Sequence, residues 1–473
     1  MLALGACGGD EPAEWAQPNG DLASTRAARG SSIDSGNVAS LRPAWRYRLP
    51  GPAVFSGLHA STPLAVDGRV YVQTLRSDVA ALDLESGRQL WLRRFGAPNT
   101  GPNGIAYADG AIVGATDTRA FSISAGTGRD RWLRVLVNRF EQFVDVAPIV
   151  SGDLVLTSTV GYAPGGRGAL YALDRETGSV RWKTVTVVDP WRFPERAGGG
   201  GAWQPLSADG DGRVYGGNSN PGPWGGTPRF PDGGAFPGRA RWTSSLLVLE
   251  EATGRLLWAD QVTPHDVRDY DFQNSPVLVE HDGRKLVVGS GKAGIVIAWD
   301  RETRERVWQR KVGLHRNDDG PLPARTSEIC PGLLGGVETP VAVADGRVFV
   351  PVVDLCARGS ATGYDDLADV DPATGRGRLV ALDLASGRPL WERRFDSPAF
   401  SCATVANDVV FTATYDGVVR AFAAEDGRPL WRSRLRARTN SCPAVVGDTL
   451  VMGAGVPEGD ASVPELVAFR LPG

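Results

Sequence analysis

The sequence has little of several features that mark common protein classes. Its 473 residues include five cysteines and four histidines, and no Cys-x-x-Cys-His motif, which excludes a covalently attached c-type haem. The net charge of −3 gives no basic excess for binding nucleic acid. No run of about 18 apolar residues is present, so we expect no membrane-spanning helix. No Gly-x-Ser-x-Gly motif supports a serine hydrolase.

A glycine followed four residues later by a tryptophan recurs along the chain. Repeats spaced by roughly 40–50 residues are typical of solenoids and propellers. A seventh copy has Arg304 in place of the glycine and ends at Trp308. The six complete copies end at Trp91, Trp132, Trp182, Trp258, Trp391 and Trp431.

Each copy predicts four short strands. In the first, Asp67-Gly68 and Ser86-Gly87 separate short apolar runs, and such pairs supply the positive φ angles of hairpin turns. Four antiparallel strands form one propeller blade. Trp45 has no blade before it, and the C-terminus has no tryptophan after it. We therefore predict an all-β fold: an eight-bladed β-propeller of four-stranded antiparallel blades, its ring closed by the N-terminal strand around Trp45.

The start of the chain resembles a bacterial lipobox. Leu4-Gly5-Ala6-Cys7 has the small residues that precede a lipidated cysteine. This predicts a signal remnant over 1–7, a flexible tether over 8–40 and a propeller over 41–473, anchored by lipid to a bacterial membrane outside the cytoplasm. Only six residues precede Cys7, so the alternatives are a start assigned too far downstream or a chance match.

The other four cysteines are compatible with two disulfides in an exported protein. Cys402 and Cys442 occupy the same place in successive blades, which allows them to pair. Cys330 and Cys356 would then form the second pair. The alternative is four buried free thiols.

The region 41–473 resembles the eight-bladed propeller of the quinoprotein alcohol dehydrogenases, which use pyrroloquinoline quinone. The tryptophan repeat alone is also found in non-catalytic lipoproteins of the BamB type. A sharper match is Thr263–Asp271, which resembles the family's Thr-Pro-His-Asp-x-Trp-Asp-Tyr-Asp segment, with Arg268 in place of the tryptophan. This resemblance implies that Asp269 is the catalytic base and a metal ligand. It also implies that Asp271 is a metal ligand, as in members that use lanthanides.

Two further segments resemble the family's metal-binding and cofactor-binding parts. Asn218–Trp224 is similar to the segment whose asparagine binds the metal, which implies Asn220. Trp203 is similar to the tryptophan that forms the floor under the quinone ring. A Ca²⁺ or lanthanide ion is the expected metal.

Similarity continues into the fifth and sixth blades. Lys292, in Gly291–Gly294, looks like the residue that bonds the quinone carbonyls. Gly335–Pro340 and Val350–Asp354 resemble the sixth blade, and Asp354 is a further expected cofactor-binding residue.

Three positions depart from the family pattern. The segment where the family has a metal-binding glutamate carries Ala163, and the expected glutamate of the first blade appears as Ala60. The arginine that pairs with the quinone carboxylates falls near Asn103. Losing an arginine weakens the capture of a tricarboxylate.

Two hypotheses follow from these residues. The first is a quinone-dependent dehydrogenase that oxidises a small alcohol or polyol and passes electrons to a separate acceptor such as a cytochrome c. The second is a non-catalytic propeller lipoprotein that acts as a binding or envelope-assembly scaffold, in which Asp266, Asp269 and Asp271 belong to a solvated acidic loop. An enzyme should bring the candidate residues together at one mouth of the channel, and a scaffold should scatter them.

Overall fold

The structure is a computed structural model. It describes residues 14–50, 61–98, 101–138, 141–144, 146–161, 165–188, 195, 197–233, 238–456 and 462–473, apart from the side chain of Ala368. The predictions for Cys7, Ala60 and Ala163 lie outside these residues. Among the described residues, no helix is both long enough and apolar enough to cross a membrane.

Eight sheets of the described chain each contain the four antiparallel strands of one predicted blade, and two smaller sheets form from connecting segments. The first four blades follow one another without a crossover. Their strands are Leu64–Val66, Arg69–Gln73, Val79–Asp83 and Gln89–Arg93; Ile105–Ala108, Ala111–Ala115, Arg119–Ser124 and Asp130–Val135; Ile149–Ser151, Leu154–Gly161, Ala169–Asp174 and Val180–Val185; Ser207–Ala208, Arg213–Gly217, Ser245–Glu250 and Leu256–Gln261.

Blades five to eight continue the same pattern, and the last takes its outermost strand from the N-terminal part of the chain. Their strands are Val277–His281, Arg284–Gly291, Ile295–Asp300 and Arg306–Lys311; Ala342–Ala344, Arg347–Asp354, Arg376–Asp383 and Pro389–Phe395; Thr404–Ala406, Val409–Ala413, Val418–Ala423 and Pro429–Arg434; Ala444–Val446, Thr449–Ala454, Glu465–Arg470 and Arg42–Arg48.

Shorter elements lie in the connections between blades. The strands are Ala27–Ala28, Gln142–Phe143, Gly198–Gly199, Pro221–Gly222, Ser327–Ile329, Ala357–Ser360 and Gly363–Tyr364. The 3₁₀ helices are Val38–Ser40, Pro231–Gly233, Leu367–Asp369 and Pro372–Thr374.

The strand around Trp45 completes the eighth blade. Arg42–Arg48 pairs antiparallel with Glu465–Arg470, which confirms the predicted role of this strand. The Trp45 indole donates to the Leu84 carbonyl of the first blade at 2.9 Å. The last blade is therefore packed against the first.

The repeated glycine contacts the tryptophan of the preceding blade and not the tryptophan of its own blade. A Cβ on Gly87 would lie 2.5 Å from the ring of Trp45, the tryptophan of the preceding blade. The same relation joins Gly427 to Trp391. The glycine thus leaves room for the indole of its neighbour, which explains why the two residues recur together.

Residues 14–40 are not a tether, and this part of the prediction is wrong. Trp15 is 1% exposed and pairs with Ala65, and Arg26 is fully buried. Most residues of this segment are small or polar, and main-chain hydrogen bonds hold them in place. An alternating or helical pattern of apolar side chains is not what orders the segment. We call residues 15–32 the inner girdle.

The inner girdle touches every blade in ring order. For each blade, one girdle residue forms a hydrogen bond with the innermost strand or with the turn that follows this strand. The pairs are Trp15 with Ala65, Ala16 with Tyr107, Gln17 with Val150, Leu22 with Ala208, Ala23 with Leu278, Thr25 with Val343, Arg26 with Val405 and Ser32 with Gly447.

Both predicted disulfides are present. Cys330 pairs with Cys356, and Cys402 pairs with Cys442. Their Cα atoms are 4.5 Å and 4.9 Å apart, respectively. The alternative of free thiols is therefore wrong for these four residues.

Candidate active site

The strand directions place three separate segments at one mouth of the propeller. Inner strands of neighbouring blades run in the same direction, and the second strand of each blade returns antiparallel to the first. The loop before the innermost strand of a blade therefore lies at the same end of the central channel as the loop after the second strand of a blade. Thr263–Asp271 precedes Val277–His281, Asn220 follows Arg213–Gly217, and Lys292 follows Arg284–Gly291.

Four of the predicted site residues contact one another. The Lys292 ammonium lies 2.8 Å from Oδ2 of Asp269 and 2.8 Å from Oδ2 of Asp271. The Asn220 side-chain amide donates to Oδ1 of Asp269 at 2.6 Å, and its backbone N–H donates to Oδ1 of Asp271 at 2.7 Å. We call Asn220, Asp269, Asp271 and Lys292 the carboxylate cluster.

The backbone at Asp269 is held in an unusual conformation. Its φ of 64° is in the left-handed region, which is uncommon for residues other than glycine, although aspartate adopts it more readily than most. On one side, Tyr270 donates to the Pro331 carbonyl at 3.0 Å. On the other side, the buried Arg268 guanidinium donates to a run of loop carbonyls. They belong to Asn317, Asp319, Gly320 and Pro321.

Arg268 therefore performs a structural task at the position where the resembling family has tryptophan. Its guanidinium fork satisfies several carbonyls at once, which an indole with a single N–H cannot do. The loop 317–321 and the backbone next to Asp269 are held together through it.

Burial dominates the electrostatics of the cluster. It raises the pKa of Asp269, while the nearby Lys292 opposes this change. Burial alone would lower the pKa of Lys292, but the surrounding carboxylates Asp269, Asp271 and Glu338 raise it well above its ordinary value. Burial also raises the pKa of Asp266 to about 6. The site thus holds one firmly protonated lysine among several carboxylates.

Glu338 is a site residue that the sequence analysis missed. The Gln273 amide donates to its Oε2 at 2.8 Å, and the backbone of Val337 bonds the carbonyl of Gly291 at 3.1 Å. Burial raises the pKa of Glu338 to about 7, although Lys292 opposes it. Its segment, Gly335–Pro340, was recognised, but no pattern marked a carboxylate there as functional.

Trp203 lies at the same mouth but beside the third blade. Its ring packs against Phe143, with centroids 5.1 Å apart. The preceding Gly201 bonds Asn218 and Ser219 of the segment that carries Asn220. Among the described contacts, its ring partner is Phe143 and not the carboxylate cluster.

Asp354 is placed in an ion pair rather than in the cluster. Its Oδ2 accepts from the Arg378 guanidinium, and its Oδ1 accepts from the backbone N–H of Leu314 at 2.9 Å. Both oxygens are therefore bonded to the protein.

Several buried polar atoms around the inner strands lack a hydrogen-bond partner among the described residues. Both side-chain polar atoms of Asn103 are unpartnered, although the residue is 2% exposed. The same holds for Oε1 of Glu338, Oδ1 of Asn274 and Oγ of Ser219. Native proteins leave few such atoms unsatisfied, so these positions fit bound polar groups.

The comparisons with known proteins agree with this geometry. Residues 15–312 match the family model of the glucose/ethanol/alcohol dehydrogenase β-propeller domain that carries the name PQQ. The chain belongs to this alcohol dehydrogenase family. Residues 332–466 also match the model of the outer membrane protein assembly factor BamB.

Relatives within the alcohol dehydrogenase family are distant but extensive. The putative dehydrogenase XoxF of Paracoccus denitrificans is 27% identical over 87% of this chain and 81% of its own length. The lanthanide-dependent methanol dehydrogenase of Methylacidiphilum fumariolicum (strain SolV) is 26% identical over 87% of this chain and 79% of its own. A europium-containing methanol dehydrogenase structure superposes with a TM-score of 0.83 at 22% identity, covering 98% of this chain and 99% of that one, which supports the fold.

Proposed function

We propose that this protein is a pyrroloquinoline quinone-dependent oxidoreductase that oxidises a small alcohol or polyol, with a Ca²⁺ or lanthanide ion at its site. The observation that carries the proposal is the convergence of Asn220, Asp269, Asp271 and Lys292 at one mouth of the propeller. Membership of the alcohol dehydrogenase family supports it.

The residues present fit both implied groups. Carboxylate and amide oxygens are the ligands that hard cations prefer, and Asn220, Asp269 and Asp271 would supply them. Lys292 would bond the quinone and Trp203 would face its ring. Asn103, with its buried and unpartnered amide, would meet a polar edge of the cofactor without the charge of an arginine.

Asp269 is the proposed base. When bound, the quinone supplies the two-electron acceptor of the reaction. The Asp269 carboxylate accepts the proton of the substrate hydroxyl, a role that requires hydrogen-bond reach. Asn220 and Lys292 each bond one of its oxygens, and each carboxylate oxygen keeps a second lone-pair direction for the substrate.

We place the protein outside the cytoplasm, tethered by a lipid on Cys7. The two disulfides support an oxidising compartment. The separate electron acceptor would be a protein such as a cytochrome c, a partner that appears in the name of a related methanol dehydrogenase of Paracoccus denitrificans.

A scaffold role is the second candidate, favoured by the BamB model match over residues 332–466. Buried charges are expensive unless they are paired or bind a metal. A scaffold gains nothing from the buried carboxylate cluster, so the enzyme is the better supported proposal.

Reconstitution tests the proposal. The chain is incubated with pyrroloquinoline quinone and either Ca²⁺ or a lanthanide, and cofactor binding is measured by calorimetry and alcohol oxidation by a dye-linked assay. We expect binding and turnover. Asp269→Asn should abolish turnover, because the amide cannot accept the proton, while cofactor affinity stays measurable.

Asp282→Asn is the matched control, since Asp282 is 83% exposed in a turn of the same blade. It should leave turnover unchanged. No cofactor binding with either metal at micromolar concentration would exclude the enzyme, and unchanged turnover in Asp269→Asn would remove Asp269 as the base.

A further inference from the structure

We propose that the Lys292 ammonium and the metal cation compete for the same two carboxylates, those of Asp269 and Asp271. Cation binding displaces Lys292 from the aspartates and leaves its ammonium available to the cofactor. The inference rests on the proposed function, because it concerns the same site. It goes beyond the resemblance, which implies only that Lys292 bonds the quinone carbonyls.

The Lys292 ammonium is the cation that the two aspartates share. Its Nζ lies 2.8 Å from Oδ2 of Asp269 and 2.8 Å from Oδ2 of Asp271. Among the described residues, no other lysine or arginine forms an ion pair with either aspartate. Oxygen ligands bind Ca²⁺ at about 2.3–2.6 Å, so two carboxylate oxygens that converge on one ammonium at this distance also suit a metal ion.

The other oxygen of each aspartate is bonded to Asn220. The Asn220 side-chain amide donates to Oδ1 of Asp269, and its backbone N–H donates to Oδ1 of Asp271. The backbone at Asn220 is itself held, because its carbonyl accepts from the Gly200 N–H at 2.9 Å. A cation that binds both aspartates without breaking these bonds uses Oδ2, and it then takes the position of the ammonium or lies against it.

Burial makes the repulsion between the two cations strong. Asp271 is 2% exposed and Lys292 is 9% exposed, so water screens little of the interaction between the ammonium and a second positive charge. The aspartates do not remain without a cation either, since a buried charge without a partner is costly. They therefore hold one cation or the other.

The Lys292 side chain can leave the aspartates while its backbone stays in place. The Lys292 N–H bonds the Asp271 carbonyl at 3.0 Å, which fixes the turn that carries the side chain. The side chain itself is a flexible stem of four carbons. An ammonium has three N–H donors, and the aspartates take two of them. Displacement frees these donors for the proposed contact with the cofactor.

Lysine NMR tests the exchange in the unaltered chain. The full chain, labelled with ¹³C at the lysine Cε atoms, is stripped of metal with a chelator and titrated with Ca²⁺ or La³⁺ without cofactor. We expect each ion to shift one signal strongly, the signal that is missing in Lys292→Arg. The assignment is practical because the sequence contains four lysines, Lys183, Lys285, Lys292 and Lys311.

Metal affinity gives a second measurement. Tb³⁺ binding to the stripped chain is followed by luminescence, and Ca²⁺ is measured by competition. We expect Lys292→Met to bind both ions at least about tenfold more tightly, because the competing charge is gone. Lys292→Arg keeps the positive charge and should bind them no more tightly than the unaltered chain. If Lys292→Met fails to fold without metal, the NMR titration decides.

Lys285→Met is the matched control. Lys285 belongs to the same blade and also faces an aspartate, Asp211, but its side chain is 45% exposed and the ion pair measures 3.7 Å. The variant removes the same charge at the surface and should bind both ions as the unaltered chain does. An equal gain in affinity in Lys285→Met and Lys292→Met would overturn the inference, because net charge alone would then explain it.

The outcomes separate this inference from the proposed function. If the ions bind while the Lys292 signal stays in place, or if Lys292→Met binds them no more tightly, the inference is overturned, even when the chain oxidises alcohols. If the ions displace Lys292 but the chain binds no pyrroloquinoline quinone, the inference stands and the proposed function fails.

Discussion

Asp266 and Glu338 show what burial does to individual carboxyl groups at this mouth. Burial raises the pKa of Asp266 to about 6 and that of Glu338 to about 7. In the unfolded chain both groups ionise near pH 4. Lys292 stays protonated across this range, because the carboxylates raise its pKa.

These shifts predict how stability depends on pH in the metal-free chain. Between about pH 4 and 7 the unfolded chain releases protons that the folded chain retains, so stability falls as pH rises and then levels off. We expect a loss of up to about 3 kcal/mol between pH 5 and 7.5, measured by urea unfolding in the presence of a chelator.

Two controls accompany this prediction. Glu338→Gln should flatten the pH dependence in part, because one of the buried carboxyl groups with a raised pKa no longer titrates. A bound cation should remove most of it, because it favours the ionised carboxylates. A metal-free chain that is more stable at pH 7.5 than at pH 5 would contradict the prediction.

The residues of the site differ in how well the sequence predicts them. Asp269, Asp271, Asn220 and Lys292 come together as the hypothesis of an enzyme requires, because local motifs sit at strand ends that the propeller gathers at one mouth. Glu338 was not predicted, because the groups that surround it, Gln273 and Lys292, belong to another part of the sequence. The roles of Trp203 and Asp354 stay predictions, and in this structure Asp354 is paired with Arg378.

At the scale of strands and turns, the glycine of each repeat has two separable tasks. Gly87 has a φ of 69°, and a Cβ there would lie 2.5 Å from the Trp45 ring. Gly68, in the same blade, has a φ of 68° but nothing within 4 Å of a Cβ. Comparing the two glycines therefore distinguishes the cost of the backbone conformation from the cost of a clash with the indole.

We expect Gly87→Ala to destabilise the protein by about 3 kcal/mol, from strain plus a clash with the indole. Gly68→Ala should lose only about 1–2 kcal/mol, from the backbone conformation alone. Urea unfolding measures both. Equal losses in the two variants would show that the indole moves aside easily.

Elements were predicted well where the signal is local. Asp-Gly and Ser-Gly turns and the tryptophan repeat predict the four strands of a blade, and the blades follow in order. Residues 14–40 were misjudged because their composition is that of a linker. Their order comes mostly from main-chain bonds to the innermost strands of the blades or to the turns after them, and such bonds leave no periodic pattern in the side chains.

At the scale of the whole molecule, the inner girdle joins blades that are far apart in sequence. The Arg26 guanidinium donates to the Ala403 carbonyl, to Thr404 and to the Pro443 carbonyl, in the segments leading into blades seven and eight. It also bonds Asn19 within the girdle at 2.9 Å. Arg26 thus links the girdle to the starts of two blades that lie next to each other in the ring.

Arg26→Met should destabilise the protein by about 3 kcal/mol or more, because it removes the donor of the buried Ala403 carbonyl and one of the two donors of the Pro443 carbonyl. Arg29→Met, an exposed change in the same segment, should have little effect. Thermal unfolding measures both, and hydrogen exchange should rise first in the inner strands of blades seven and eight. An unchanged melting temperature in Arg26→Met would show that the girdle does not hold these blades.

The girdle also bears on the order in which the molecule can be assembled during synthesis. Ser31 is made early, yet it bonds Gly447, which follows it by 416 residues. The girdle is therefore synthesised long before its last partners. It either stays unpaired until then or binds each blade as that blade leaves the ribosome. Translation reaches the eighth blade last, and only then can the first-made residues find their final partners.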